Sequence, residues 1–68
     1  MNERIVSELN VCGGEACFRG TRILVKVVLS HLAAGESTKD ILSNFPALAE
    51  PDIRACLEYA SYLAAERI

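Results

Sequence analysis

The chain has a single histidine, His31, which excludes metal chemistry built on several imidazoles. Positive charge is also scarce: seven lysines and arginines face nine acids, a net charge of −2. Proteins that bind nucleic acid unaided draw most of their affinity from neutralising phosphates. This balance therefore argues against strong DNA binding by the chain alone. Long hydrophobic runs are missing too. Ile23–Ala34 is apolar but far too short to cross a bilayer. No signal peptide or lipidation motif is present, and the three cysteines are an odd number, so reduced thiols and a cytoplasmic location are expected. Internal repeats, linkers and low-complexity segments are absent. The glycines within Cys12–Gly20 lack the spacing of a phosphate loop or a dinucleotide fingerprint, and so short a chain offers no pocket of its own. No enzyme is expected.

What the sequence does have is apolar material. Hydrophobic residues make up 51% of 68 positions, whereas a domain of this size buries only ~60% of its unfolded surface. The surplus implies a homodimer or a tightly held partner. Charge is unevenly spread. Residues 1–26 set Arg4, Arg19, Arg22 and Lys26 against Glu3, Glu8 and Glu15, a net of +1; residues 27–68 carry a net of −3. A phosphate-facing surface would lie in the first third.

The organising stretch is Gly35–Leu63. Gly35 suits the left-handed residue that closes a helix. Ser37, with Asp40 three positions on, suits the start of the next. Ile41, Leu42 and Phe45 share a face, and Asn44-Phe45-Pro46 ends that short helix, because the residue before proline leaves the α region. Leu48 fits the elbow, and Pro51 suits the first turn of a longer helix over Pro51–Ala65. There Ile53, Cys56, Leu57, Ala60 and Ala64 recur at helical spacing. Helix, short turn, helix is the outline of a helix-turn-helix. Ahead of it, Arg4–Leu9 and Ala16–Arg22 read as two short strands joined through Gly13-Gly14, with Gly20 marking a bulge or a strand end. Leu24–Ala34 reads as a helix apolar most of the way round, hence buried against a second copy or a partner. The expected fold is mainly α in one domain, residues 1–68: a β-hairpin arm (1–23) before a three-helix unit (24–65).

A set of residues now aligns with a known pattern. Gly14, Arg19-Gly20-Thr21-Arg22-Ile23, Val25, Leu29, Ala33-Ala34-Gly35-Glu36-Ser37, Ile41-Leu42, Phe45-Pro46-Ala47-Leu48, Asp52-Ile53 and Leu57-Glu58-Tyr59-Ala60 resemble the domain of unknown function 433 family, from about Ile5 to Leu63. Two departures stand out. Ala16 replaces a usual proline, and Ala49 replaces a usual threonine cap, a loss of about 1 kcal/mol that Glu50 would offset by capping one residue later. The resemblance implies a dimeric, homeodomain-like helix-turn-helix. It also implies an antitoxin of a type II toxin–antitoxin pair, partnered by a PIN-like ribonuclease toxin and binding operator DNA as a complex. The alternatives are a stand-alone transcriptional regulator and a purely structural dimerisation domain.

Candidate sites follow from the exposed residues. A recognition helix would present Glu50, Asp52 and Arg54, two carboxylates that repel phosphate. Arg19, Arg22 and Lys26 are the better contact for nucleic acid or an acidic partner, with Arg54 as a fourth cation. A strand would send Arg19 and Arg22 to opposite faces, and a bulge at Gly20 would bring them together. The plainer reading is solvated charge, or a structural ion pair of Arg22. Apolar and amphipathic residues mark the dimer or partner interface: Leu24, Val27 and His31 on the first helix, Ala55, Tyr59 and Tyr62 on the last, and the tail Glu66–Ile68. Cys12, Cys17, His31 and Cys56 are zinc ligands by type, but the Cys12–Cys17 spacing is wide and the other two stand alone. Cys17 and Cys56 read as apolar fillers. No metal or cofactor is expected.

Overall fold

The computed structural model describes residues 3–66, and of Glu66 only the backbone; the expected contact through the tail Glu66–Ile68 lies outside the described side chains. Two short strands come first, β1 (Ile5–Val6) and β2 (Cys17–Phe18), antiparallel with Ile5 opposite Phe18 and Val6 opposite Cys17. Three helices follow: α1 (Val25–Ala33), α2 (Thr38–Asn44) and α3 (Glu50–Glu66). The chain is thus mainly helical, with a hairpin ahead of three helices packed pairwise.

The hairpin is shorter than the expected strands because the backbone turns at Gly20. Thr21 N–H donates to Phe18 O at 3.0 Å, closing a turn with Gly20 at its third position and φ +79°. That φ defines a type II turn and suits glycine. The Thr21 hydroxyl locks it, donating to Phe18 O at 2.8 Å and accepting from Ile23 N–H at 3.0 Å. Gly20 therefore ends a strand and does not bulge one. The returning chain pairs again, Phe18 N–H to Ile23 O at 3.1 Å and Val25 N–H to Ala16 O at 3.0 Å. The second of these bonds satisfies a first-turn amide of α1, whose N-cap Leu24 has no side-chain cap to give.

Helix α1 stops where glycine allows it. Gly35 has φ +89°; Glu36 N–H donates to His31 O at 3.1 Å and Gly35 N–H to Leu32 O at 3.0 Å. This is the paired pattern of a Schellman motif. A Cβ on Gly35 would meet nothing within 4 Å, so substitution there strains the backbone alone. Gly35→Ala is expected to cost about 1 kcal/mol by urea denaturation, and Gly35→Asn less, since asparagine tolerates the left-handed region. Equal costs for both would show that the left-handed φ is not what matters. Helix α2 starts as its sequence indicates, Ser37 Oγ accepting Asp40 N–H at 3.1 Å, and ends at Phe45, whose φ −125° and ψ 77° leave the helix before Pro46.

One core joins all five elements: Ile5, Phe18, Val25, Val28, Ile41, Leu48, Ile53, Ala55 and Cys56 are buried together. Leu42 and Phe45 pack against it, and Leu48 fills the elbow as expected. Two expectations for α3 are corrected. Its buried face runs through Asp52, Ile53, Ala55 and Cys56 with Tyr59 beside them, while Leu57 is 51% exposed and Ala64 is exposed. Its cap is also different. Glu50 does not cap; Asp52 Oδ2 reaches back to accept Ala49 N–H at 2.9 Å, the carboxylate half of a capping box. Helix α1 is not apolar-buried all round within one chain either: Val25 and Val28 are buried, Val27 and Leu29 half-buried.

Candidate functional site

The four candidate cations do not form one surface. Arg19 is the second residue of the type II turn and Arg22 follows it directly, and both line one shallow groove with Val6, Glu8, Val11, Gly20 and Thr21. The turn supplies the convergence that a straight strand would have denied them. Arg19 is held from behind, its Nε donating to Glu3 O at 2.6 Å. Lys26 points elsewhere: its Nζ lies 2.7 Å from Glu15 Oε1, both side chains well exposed, so its charge is locally matched. Arg54 sits in a separate groove between α2 and α3 with Thr38, Glu50, Ile53 and Leu57. A phosphate or acidic group entering that groove meets a pair of arginines with Glu8 beside them, not a four-cation stripe.

The start of α3 differs from the expected exposed, doubly acidic tip. Asp52 is only 9% exposed. Its Oδ1 accepts from Arg4 Nη1 at 3.1 Å while Oδ2 caps the helix. One of the two carboxylates is thereby withdrawn from solvent and neutralised, which leaves Glu50 and Arg54 exposed at that end. The residue missed by sequence reasoning is Arg4, because nothing local marks it as the partner of a residue 48 positions away.

The interface candidates separate as well. Ala55 is 1% exposed and belongs to the core, so it is removed from the list of surface contacts. Tyr59 is half-buried against that core. Tyr62 is 50% exposed, and with Leu63 it lies on the last turns of α3, where residues 61–65 are all exposed. The stripe Ala55–Tyr59–Tyr62 therefore begins in the core and runs off its end. Helix α3 is about 25 Å long at 1.5 Å per residue, and its last turns are exposed. On α1, Leu24 and Val27 are half-buried. His31 is engaged within the chain: its Nδ1 lies 2.7 Å from Glu36 Oε2, and its ring meets Phe45 edge-on at 5.5 Å and 71°. A carboxylate only accepts, so Nδ1 carries the proton. This contact joins the same two residues as the Schellman bond and reinforces the end of α1.

Cys17 and Cys56 are fully buried and Cys12 is partly exposed. Burial pushes the Cys56 thiol up to about 11 and raises Cys17 as well, with Cys12 next in effect. Among the described residues, no three His, Cys, Asp or Glu side chains are grouped to hold a metal ion, and no helix is long and apolar enough to cross a membrane.

Against known proteins, no curated protein matches the chain. A crystal structure of a DUF433 member protein from Anabaena variabilis matches it with a TM-score of 0.85 and 31% sequence identity, over 96% of this chain and 64% of that one. The chain thus spans a little under two thirds of that relative. A family model described as protein of unknown function (DUF433) covers residues 5–60, most of the sequence and every core position described above, and the chain belongs to that family.

Proposed function

We propose that the chain is a non-enzymatic binding module that works as a homodimer with a homeodomain-like helix-turn-helix, acting as an antitoxin. In this reading it covers a PIN-like ribonuclease toxin and contributes to operator binding as part of the complex. One observation supports it most: large apolar and amphipathic side chains remain outside the core, Leu57, Tyr62 and Leu63 on α3 and Leu9 at 85% exposure on the hairpin. Where such side chains gather into a patch, macromolecular contact is their usual use. The divided cations support the second half of the reading. A groove with two arginines and one glutamate supplies too few phosphate contacts for tight binding by one chain, so DNA affinity depends on the assembled complex.

The test is co-expression with the product of the adjacent gene, pull-down, and operator binding with and without that product. A stable complex whose operator affinity exceeds that of the isolated chain is the expected result. Within the complex, Arg19→Ala with Arg22→Ala is expected to lower the salt dependence of binding by about 2 in log–log slope, roughly one unit per lost phosphate contact. Sequence-specific binding by the isolated dimer, with no neighbouring toxin gene, would replace this reading with a stand-alone regulator. A chain that scatters light as a monomer at low micromolar concentration and binds neither partner would end it.

A further inference from the structure

Two charges of opposite sign stand unmatched on α3. Glu50 and Arg54 are both exposed and lie four residues apart, acid first, the spacing and order in which a helix favours an ion pair. Yet neither makes an ion pair or a side-chain hydrogen bond with any described residue, whereas Arg4, Lys26 and His31 each have a carboxylate. An apolar seam runs between the two. Glu50, Ile53, Arg54 and Leu57 recur at i, i+3, i+4 and i+7, which sets them on one helix face. With Thr38 of α2 they line an open groove of about 200 Å³. Ile53 is its floor, 4% exposed, and Leu57 stands on its rim at 51%. That volume has room for a leucine side chain, since a cavity of roughly 150 Å³ admits benzene. A single patch thus carries a knob, a hole, one anion and one cation.

We propose that this patch is the contact between two copies of the chain, related by a two-fold axis that passes between Glu50 and Arg54. The inference rests on the homodimer reading above and names the surface that makes the dimer. A surface that meets itself across a two-fold has to be self-complementary. Parallel helices would set Glu50 on Glu50 and Arg54 on Arg54, and opposed like charges cost affinity. Antiparallel helices do the reverse. The two residues lie about 6 Å apart along the axis at 1.5 Å per residue, so a two-fold midway between them puts each Glu50 level with the second copy's Arg54. Two ion pairs form. The same operation brings each Leu57 to the N-terminal end of the second copy's groove. Helix side chains tilt toward their own N-terminus, and in an antiparallel pair that tilt leans Leu57 back over the groove. The patch shares no residue with the Arg19–Arg22 groove, which stays open in the dimer. Because it occupies the start of α3, dimerisation and base reading by that helix end exclude each other.

The experiment is sedimentation equilibrium on the full chain at low micromolar concentration, with circular dichroism confirming the fold of each variant. Glu50→Arg sets arginine against arginine at both symmetric pairs, and Arg54→Glu sets glutamate against glutamate. Each alone is expected to raise the dimer dissociation constant at least about tenfold. Mixing the two variants is the decisive arm. One chain then carries two arginines and the other two glutamates, so both pairs attract again. The mixture is expected to form a heterodimer at least as tight as the parent dimer, and to loosen as salt is added. Leu57→Ser, at a side chain outside the core, is expected to weaken the parent dimer at least about tenfold as well. It decides the matter where Glu50→Arg, which puts a cation at a helix start, fails to fold. A parent dimer unaffected by these substitutions would overturn this interface and leave the homodimer reading standing, with its contact elsewhere. Reversals that loosen the dimer without recovery on mixing would overturn the two-fold pairing. A monomeric parent would end both.

Discussion

Replacing Phe18 with alanine is expected to leave the chain without a cooperative urea transition at 25 °C. Phe18 is 1% exposed and the largest fully buried side chain. It stands on β2 opposite Ile5, within the core shared with Ile53 and Cys56 of α3. Truncating a buried phenylalanine to alanine removes its transfer free energy and leaves a cavity, together about 3–5 kcal/mol. A chain of this length holds on the order of 3–10 kcal/mol in total, so the loss takes most or all of it. Leu9→Ala is the matched control. That side chain is 85% exposed, and its removal is expected to stay within about 0.5 kcal/mol of the parent. A Phe18→Ala protein that melted sharply near the parent midpoint would mean that the hairpin does not help to close the core.

Asp52→Ala comes second, with an expected cost of about 2 kcal/mol. Three losses contribute. The Ala49 amide loses the oxygen that accepts it at 2.9 Å, a cap of about 1 kcal/mol, and the negative charge leaves the first turn of α3, where the helix dipole favours it. The Arg4 guanidinium loses its carboxylate at 3.1 Å. Arg4 is 47% exposed, so solvent screens this pair and its share stays below about 1 kcal/mol. Arg4→Ala is accordingly expected to cost about 0.5 kcal/mol, and Asp52→Asn, which keeps an oxygen for Ala49, about 1 kcal/mol. Urea midpoints with unchanged m-values check the series. A double-mutant cycle over Arg4 and Asp52 separates cap from ion pair. If Asp52→Ala matched Arg4→Ala, the cap would contribute nothing and α3 would be held by packing alone.

Those two residues also show where reading the sequence works and where it stops. The helix ends were legible because their signals are local. Gly35 stops α1, Ser37 and Asp40 open α2, and Pro46 and Pro51 bracket the elbow; each acts within four residues of its own position. The rotation of α3 was not legible. Periodicity favoured Ile53, Cys56, Leu57, Ala60 and Ala64, but the helix is turned so that Asp52 and Ala55 face inward and Leu57 faces out. Apolar spacing assumes that a carboxylate stays wet, and Asp52 breaks the assumption through an arginine 48 residues upstream. The hairpin failed for a related reason. Ala16–Arg22 has the residues of a strand, but the Thr21 hydroxyl folds it back after Phe18. That turn set the candidate groove: it brought Arg19 and Arg22 together, while Lys26 went to Glu15. Ala55 was misplaced for the same cause as Leu57, since both follow from how α3 is rotated.

The contact between Arg4 and Asp52 has one more consequence, for the order in which the chain is made. Translation delivers the hairpin, α1 and α2 while the residues that would cover them are still unsynthesised. Until Asp52, Ile53 and Cys56 emerge, Phe18 and Ile41 have water where α3 will lie. The growing polypeptide therefore carries a sticky half-site for the time the ribosome takes to add that segment, on the order of a second at cellular elongation rates.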